Sequence, residues 1–498
     1  MLKMPLVEEI SEYLKHNFLG FHTPGHQQGK GCENCFQQQL QRGLLRMDLT
    51  EVPGLDNLHN PCGCLRESQR LAADLFGARE SFYLVNGSTV GLQAALIALN
   101  QPQGKVIIPR HVHISVLNGL ILSGGMPIIA PVQMDKTWGI PLGISSEKLS
   151  SLLKEEVPEN PIQGSQGRAE EAAGKTNVDL VLTVNPTYQG VGYTAGVINK
   201  LIKEKGIPHL VDEAHGAHLY FQGELPLSFQ KEQADIVIQS THKTLTALTQ
   251  ASMLHVNTEK FIVPVREALH ILQTTSPSYL LMASLDSTQA QLKAEGTALA
   301  GKSLELAYLL RQQIRELPGF RVFPEEALPA GWYNDPTKVL VSAAGLGLTG
   351  WELAETLREK HGIVVEMSDY YSVLFLVTFG HSFEDIIRAG QALRKIGQEN
   401  RKKALVFLPF PASLYEQPVH LLLTPREVYY NKKEVVKIDE AAGRICGRAL
   451  TIYPPGIACL WPGQVIVQEH LEYVRWALRQ KLMIQGVSAE EKITVLKV

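Results

Sequence analysis

Cysteine is scarce in this chain, with six in 498 residues. A disulfide-built scaffold needs a much denser supply in a much shorter chain, so that class is excluded. No apolar run reaches the roughly 18 to 20 residues of a membrane-spanning helix. Charge of one sign is lacking too: 47 Lys and Arg stand against 50 Asp and Glu. Such a balance gives no electrostatic reason to bind nucleic acid or an anionic membrane. The opening residues Met1-Leu2-Lys3-Met4-Pro5, soon followed by Glu8, Glu9 and Glu12, lack the apolar core of a signal peptide. No internal repeat is evident. A cytoplasmic protein is the expectation.

What is present describes an ordinary folded chain, 45% hydrophobic and 19% charged. Its length exceeds one compact core, and three units fit best: residues 1–290, 291–398 and 399–498. Four of the cysteines fall close together, as Cys32-x-x-Cys35 and Cys62-x-Cys64. They could in principle hold zinc, but the one-residue spacer and the absence of a ribbon-like setting argue for ordinary thiols, and no metal is expected.

The apolar spacing of Leu6, Val7, Ile10, Leu14 and Phe18 predicts an opening amphipathic helix. Phe21-His22-Thr23-Pro24-Gly25-His26 reads as a turn, and Asp48 to His59 as irregular backbone of the kind that carries sites. A helix over Leu65–Phe76, capped at Gly77, leads to a strand at Ser81–Val85 and then to Asn86-Gly87-Ser88-Thr89 before a helix at Leu92–Leu99. Strand, Gly-Ser-Thr turn and helix start together suit either an anion site or a plain N-cap. Short buried strands are then expected at Lys105–Pro109, Pro127–Pro131, Asp179–Val184, Pro208–Asp212 and Ile236–Gln239. Connections of adequate length separate them, so the fold class is α/β with a mainly parallel sheet. The polar segment 155–177 is the best surface insertion. One long helix over Asp286–Leu317, a smaller α/β unit and a last section of short strands with a terminal helix complete the chain.

Two motifs point elsewhere. Asp212-Glu213-Ala214-His215 spells a helicase acidic box, and Gly296 to Ser303 satisfies the phosphate-loop pattern. A phosphate loop must follow a buried strand, whereas Gln289–Glu295 is polar and helix-like, and the two motifs occur in reversed order. An ATP motor is set aside.

The strongest stretch is Ser240-Thr241-His242-Lys243, at the end of an expected strand. A lysine flanked by hydroxyls and an imidazole suits an aldehyde cofactor with a phosphate, and pyridoxal 5'-phosphate fits best. Lys243 would form the Schiff base, and Asp212 would pair with the pyridinium nitrogen. Ser88, Thr89, Ser240 and His242 would supply phosphate donors, and His113 would cover the ring. His215 and Thr187 are options for the 3′-oxygen and substrate. These candidates gather at strand ends of one sheet, where open sheets bind ligands.

A resemblance covers nearly the whole chain. Phe21–His26, Asp48-Leu49-Thr50-Glu51, Gly54-Leu55-Asp56, Asn86–Thr89, Asn185-Pro186-Thr187-Tyr188, Asp212–Gly216, Ser240–Lys243, Thr275-Ser276-Pro277-Ser278-Tyr279, Ser284-Leu285-Asp286, Thr424-Pro425-Arg426-Glu427 and Tyr453-Pro454-Pro455-Gly456 occur in family order. The chain resembles the short-form bacterial ornithine/lysine/arginine decarboxylases of pyridoxal-phosphate fold type I. The resemblance implies an aspartate-aminotransferase-like large domain with an N-terminal arm, a small α/β domain and an α+β C-terminal domain. It implies decarboxylation of a basic amino acid, arginine first, to a polyamine precursor. It also implies a homodimer or higher homo-oligomer whose shared active site receives Ser276 from a neighbour. Three departures stand out: Ile114 in place of a lysine after His113, Cys62-Gly63-Cys64, and Gln464 where a Pro-Gly-Glu run is usual. An aminotransferase, an aldolase or a non-catalytic relative of the same fold type remains the alternative.

Overall fold

The computed structural model describes residues 4–154, 178–193, 196–324, 326–400, 404–405, 412–453 and 456–497. The expected insertion at 155–177 lies outside the described residues, as do Pro454 and Pro455.

Seven short runs pair into one sheet: β1 (Glu80–Leu84), β2 (Lys105–Pro109), β3 (Met126–Ala130), β4 (Leu180–Val184), β5 (His209–Asp212), β6 (Ile236–Gln239) and β7 (Ser252–Val256). Their order across the sheet is β1-β7-β6-β5-β4-β2-β3. Every pairing from β6 to β3 is parallel, and β7 alone runs against its neighbours. The strands read as near-continuous apolar runs because helices cover the sheet. α1 (Gly87–Leu99), α2 (Ile114–Ser123) and α3 (Ile262–Leu272) pack Leu92, Leu96, Val116, Leu120 and Val265 against one face. Trp138, Ile198, Ile202 and Phe229 belong to the core on the other.

Strand β7 is absent from the sequence reading. Ser252 and His255 interrupt its apolar run, yet both are fully buried, and Ser81 Oγ lies 2.7 Å from His255 Nδ1 across the sheet. A cross-strand polar pair thus replaces the apolar contacts that a pattern search looks for. α1 starts five residues earlier than expected, at Gly87, so Ser88 and Thr89 lie in its first turn.

α4 (Tyr279–Arg315) is 37 residues long. Its first half packs in one core through Met282, Leu285 and Leu292, and its second half in another through Leu306, Leu310 and Ile314. The expected border at residue 290 therefore falls inside a continuous helix. Gly296–Ser303 lies within it too, and Ser303 Oγ donates back to the Leu299 carbonyl at 3.0 Å. No strand precedes Gly296, so this stretch cannot cradle a phosphate as a loop.

The small unit is a sheet of Lys338–Ser342, Val373–Leu376 and two short edge strands, backed by helices Gly350–His361 and Phe383–Glu399. The chain's start joins it: Leu19–Phe21 pairs in parallel with Ile363–Val365. The preceding helix Pro5–Lys15 buries none of its residues, leaving Leu6 72% and Leu14 58% exposed. The last section is α+β, with antiparallel pairs Leu450–Tyr453 with Ile457–Leu460 and Lys433–Lys437 with Lys492–Leu496, and helix Gln468–Arg479.

Candidate active site

Parallel strands deliver their carboxyl ends to one edge, and β4, β5 and β6 lie side by side there. β5 ends in Asp212, followed by Glu213, Ala214 and His215. β6 ends at Gln239, and the next residues turn at once into a single helical turn, Thr241–Thr244, which carries Lys243. Gly25 fixes the seat of that turn. Its N–H donates to the His242 carbonyl at 2.9 Å, and a Cβ there would stand 2.9 Å from the Lys243 carbonyl oxygen and 2.4 Å from that of Leu245. The Pro24-Gly25 pair is thus a close backbone approach.

Lys243 Nζ lies 2.9 Å from His215 Nε2, its one hydrogen-bond partner among the described residues. Burial pulls the amine below its ordinary range, while Asp212 and Glu366 pull it back up. Asp212 Oδ1 accepts the Ala214 N–H at 3.1 Å. Burial raises the Asp212 carboxyl, opposed by Lys243, that N–H and His113. Asp212 is thus a buried acid with acceptor capacity left over.

Ser88 and Ser240 meet, Oγ to Oγ, at 2.8 Å, where the first turn of α1 faces the lysine turn. Thr89 is exposed beside them. A helix start leaves its first N–H groups without intrahelical partners, so hydroxyls and amides converge there as a cradle for an anion. His242 Nδ1 donates to the Ala251 carbonyl at 2.8 Å, and burial lowers the ring to about 4, leaving a neutral imidazole with Nε2 as acceptor. His113 caps α2: its Nδ1 accepts the Ser115 N–H at 3.2 Å, which fixes the ring and leaves the proton on Nε2. Asp212 and Lys243 both act on its titration.

Three further residues singled out in the sequence are engaged by other partners. Thr187 is buried, but its hydroxyl accepts the Val191 N–H at 3.0 Å and closes a turn. Ser276 is exposed, in a loop tied to its own chain through Thr274, whose carbonyl accepts from His59 Nε2 at 2.8 Å, and through Tyr279, whose hydroxyl donates to the Asp56 carbonyl. Gln464 is nearly buried in the C-terminal unit, where its Oε1 accepts the Trp461 N–H at 3.1 Å and its Nε2 lies 3.3 Å from His470 Nε2.

Three further groups emerge only in three dimensions. Glu213 is fully buried beneath the strand ends and accepts from Gln239 Nε2 at 2.7 Å, Ser228 Oγ at 2.8 Å and the Phe229 N–H at 2.8 Å. Lys338, at the start of a small-unit strand, reaches His215 Nδ1 at 3.1 Å. Glu366 accepts from the Tyr188 hydroxyl at 2.8 Å and the Thr23 N–H at 2.7 Å. Glu213 could have been suspected from its place beside Asp212. Lys338 and Glu366 carry no local signal, because a charged residue at a strand edge usually faces water.

A mainly parallel sheet with one reversed strand, a lysine and an acid at adjacent strand ends, and a hydroxyl-lined helix start fit pyridoxal phosphate: amine, open carboxylate and anion cradle lie on one edge. This is the fold of the fold-type-I pyridoxal-phosphate enzymes. Residues 4–330 match the Orn/Lys/Arg decarboxylase major domain, and residues 410–490 match that family's C-terminal domain. The arginine decarboxylase of Bacillus anthracis is 36% identical over 485 residues, 97% of this chain and 94% of that protein. The arginine decarboxylase of Bacillus subtilis (strain 168) is 36% identical over 487 residues, 97% of this chain and 95% of its own length. Among solved structures, lysine decarboxylase A from Pseudomonas aeruginosa superposes with a TM-score of 0.77 at 21% identity, covering 99% of this chain and 80% of that one. The chain belongs to the Orn/Lys/Arg decarboxylase family and is a pyridoxal-phosphate-dependent amino-acid decarboxylase.

Proposed function

We propose that the substrate is arginine and that the reaction releases CO2 and agmatine, a polyamine precursor, in the cytoplasm. The single observation that supports arginine is the 36% identity, over 97% of this chain, to proteins named arginine decarboxylase. Within the family reading, Lys243 carries the cofactor, and Asp212 keeps the pyridine nitrogen protonated. Ser88, Thr89 and Ser240 would hold the phosphate, joined by His242 once its Nε2 is protonated; His113 would cover the ring and His215 would present a polar edge. Bound pyridoxal phosphate supplies an electron sink that accepts the pair released when the Cα–carboxylate bond breaks. The protein's own part is to orient that bond, exclude water and return a proton to Cα from Lys243 or His242.

The reading includes a homodimer in which Ser276 of one copy serves the other's cofactor. It is supported by the apolar side chains exposed along the segment before Asp56: Leu44, Leu45, Leu49 and Val52 stand 42% to 83% exposed. Such a cluster is costly in water and is covered when two copies meet.

The test is to offer arginine, lysine and ornithine separately to the purified protein and to measure CO2 and the amine formed. Arginine is expected to give the highest kcat/KM; preference for lysine or ornithine would overturn the assignment. Analytical ultracentrifugation, with a Ser276→Ala variant mixed into Lys243→Ala, tests whether the site is shared between copies.

A further inference from the structure

A half-buried lysine and a fully buried one flank one imidazole. His215 Nε2 faces Lys243 Nζ at 2.9 Å, and His215 Nδ1 faces Lys338 Nζ at 3.1 Å. The ring is neutral: burial, and then Lys243 and Lys338, hold it well below its ordinary value. A neutral imidazole has one N–H and one lone pair. It can accept from one amine only, so the other amine must be the neutral partner that accepts from the ring.

The surroundings decide which lysine keeps the charge. An ammonium needs three acceptors. Lys338 has the imidazole, the Tyr188 carbonyl at 3.0 Å and the Tyr188 ring face at 5.6 Å. Lys243 has the imidazole alone among the described residues. The seat of Lys338 is built for it: the side chain is fully buried, and a Cβ on Gly190 would stand 2.8 Å from its Cδ.

We propose that Lys338 is a positioning residue whose ammonium donates to His215 Nδ1, fixing the Nε2–H tautomer and thereby presenting Lys243 as the free amine. This rests on the reading of Lys243 as the cofactor lysine. Capture of the aldehyde forms a C=N bond and releases the aldehyde oxygen as water, and it starts from the amine's lone pair. A cation on the far side of His215 also disfavours a second cation at Lys243. The charged and titratable groups that face this trio are Asp212, His113 and His242 around Lys243, Asp335 around Lys338, and Glu366, which acts on both lysines. Asp335 is occupied by His218 at 2.9 Å.

The test follows the rate at which full-length apoenzyme captures pyridoxal phosphate, read by absorbance across pH, in the wild type, Lys338→Met and Lys338→Arg. Lys338→Met should shift the pH midpoint for capture upward by about one unit and slow capture near pH 7 about tenfold. Lys338→Arg, which keeps the charge and the donor, should restore the wild-type midpoint. An unchanged midpoint in a folded Lys338→Met protein overturns the proposal. So does a 15N spectrum of the wild-type apoenzyme that places the His215 proton on Nδ1, a readout that needs no variant at position 338. Failure of the wild type to capture the cofactor at all would instead overturn the reading of Lys243 itself.

Discussion

Lys243 is half-buried and Lys338 fully buried, both at the edge of a sheet, and they differ in how they reached it. Lys243 follows the carboxyl end of β6 in the large sheet, embedded in a run of hydroxyls and imidazole. Lys338 opens a strand of the small unit and meets the same histidine from the other side. Among the described residues one has a single hydrogen-bond partner, and the other has a set of acceptors that satisfies an ammonium. An under-satisfied amine is reactive, whereas a satisfied one is a fixture. On the proposed reading chemistry falls to the first and support to the second, although burial lowers both, Lys338 to about 8.

Replacing the reactive member should have the largest effect. Lys243→Ala is expected to cost on the order of 10^4-fold or more in decarboxylation, because the step loses both its covalent anchor and a proton carrier. CO2 release under saturating arginine measures it. Asp212→Asn removes the acceptor for the pyridinium nitrogen and should lower kcat about a hundredfold with the fold intact. A matching far-UV spectrum and a weaker cofactor affinity would accompany it.

Glu213 braces the Lys243 side, and burial pushes its carboxyl up to about 7 from the usual 4.5. The folded state then holds this proton more tightly than the unfolded state. The stability it contributes is full below about pH 4.5 and is lost as the pH rises through 7, by on the order of 2 to 3 kcal/mol. Glu213→Gln should flatten that part of the stability–pH curve. It should also cost about 1–3 kcal/mol near pH 8, where the ionised carboxylate accepts from Gln239, Ser228 and Phe229 and an amide N–H would face those donors. Urea unfolding at several pH values reads both effects.

Gly190→Ala attacks the other side by crowding the Lys338 stem at a backbone φ of +95°. A loss of about 1–2 kcal/mol is expected, with a larger effect on cofactor capture than stability alone explains.

Gln464→Glu should have the smallest effect. His470 Nδ1 accepts the Val467 N–H at 3.2 Å, so its Nε2 carries a proton that faces the Gln464 amide nitrogen at 3.3 Å. Arg110, nearly fully buried, donates to the carbonyls of Ala458, Cys459 and Leu414 and has no carboxylate in salt-bridge range among the described residues. A glutamate at 464 would accept from His470 and from the Trp461 N–H. It should add about 0.5–1 kcal/mol of stability, with little change in arginine turnover. A large change in substrate preference would instead tie position 464 to the substrate's far end.

The same contrast explains what the residues disclosed before the fold was known. Strand β6 and the lysine turn are contiguous, so Asp212, Ser240, His242 and Lys243 could be read from local pattern alone. The parallel strands were legible because burial on both faces leaves unbroken apolar runs. Strand β7 was not, since Ser252 and His255 break its apolar run and His255 finds its partners only across the sheet. Lys338 and Glu366 lie more than 90 residues beyond Lys243 and join the site through domain packing. Thr187 could not be placed by chemistry alone: its hydroxyl accepts the Val191 N–H in a turn and keeps its own O–H as a donor. Ser276, on the proposed reading, serves a second copy of the chain, and no pattern within one copy fixes where it points.

The most direct test of which lysine does the chemistry is to reduce the pyridoxal-phosphate-loaded enzyme with borohydride and locate the modified residue by peptide mass spectrometry. The label is expected on the peptide containing Lys243, with Lys338 unmodified. A label on Lys338, or on neither lysine, would contradict the account.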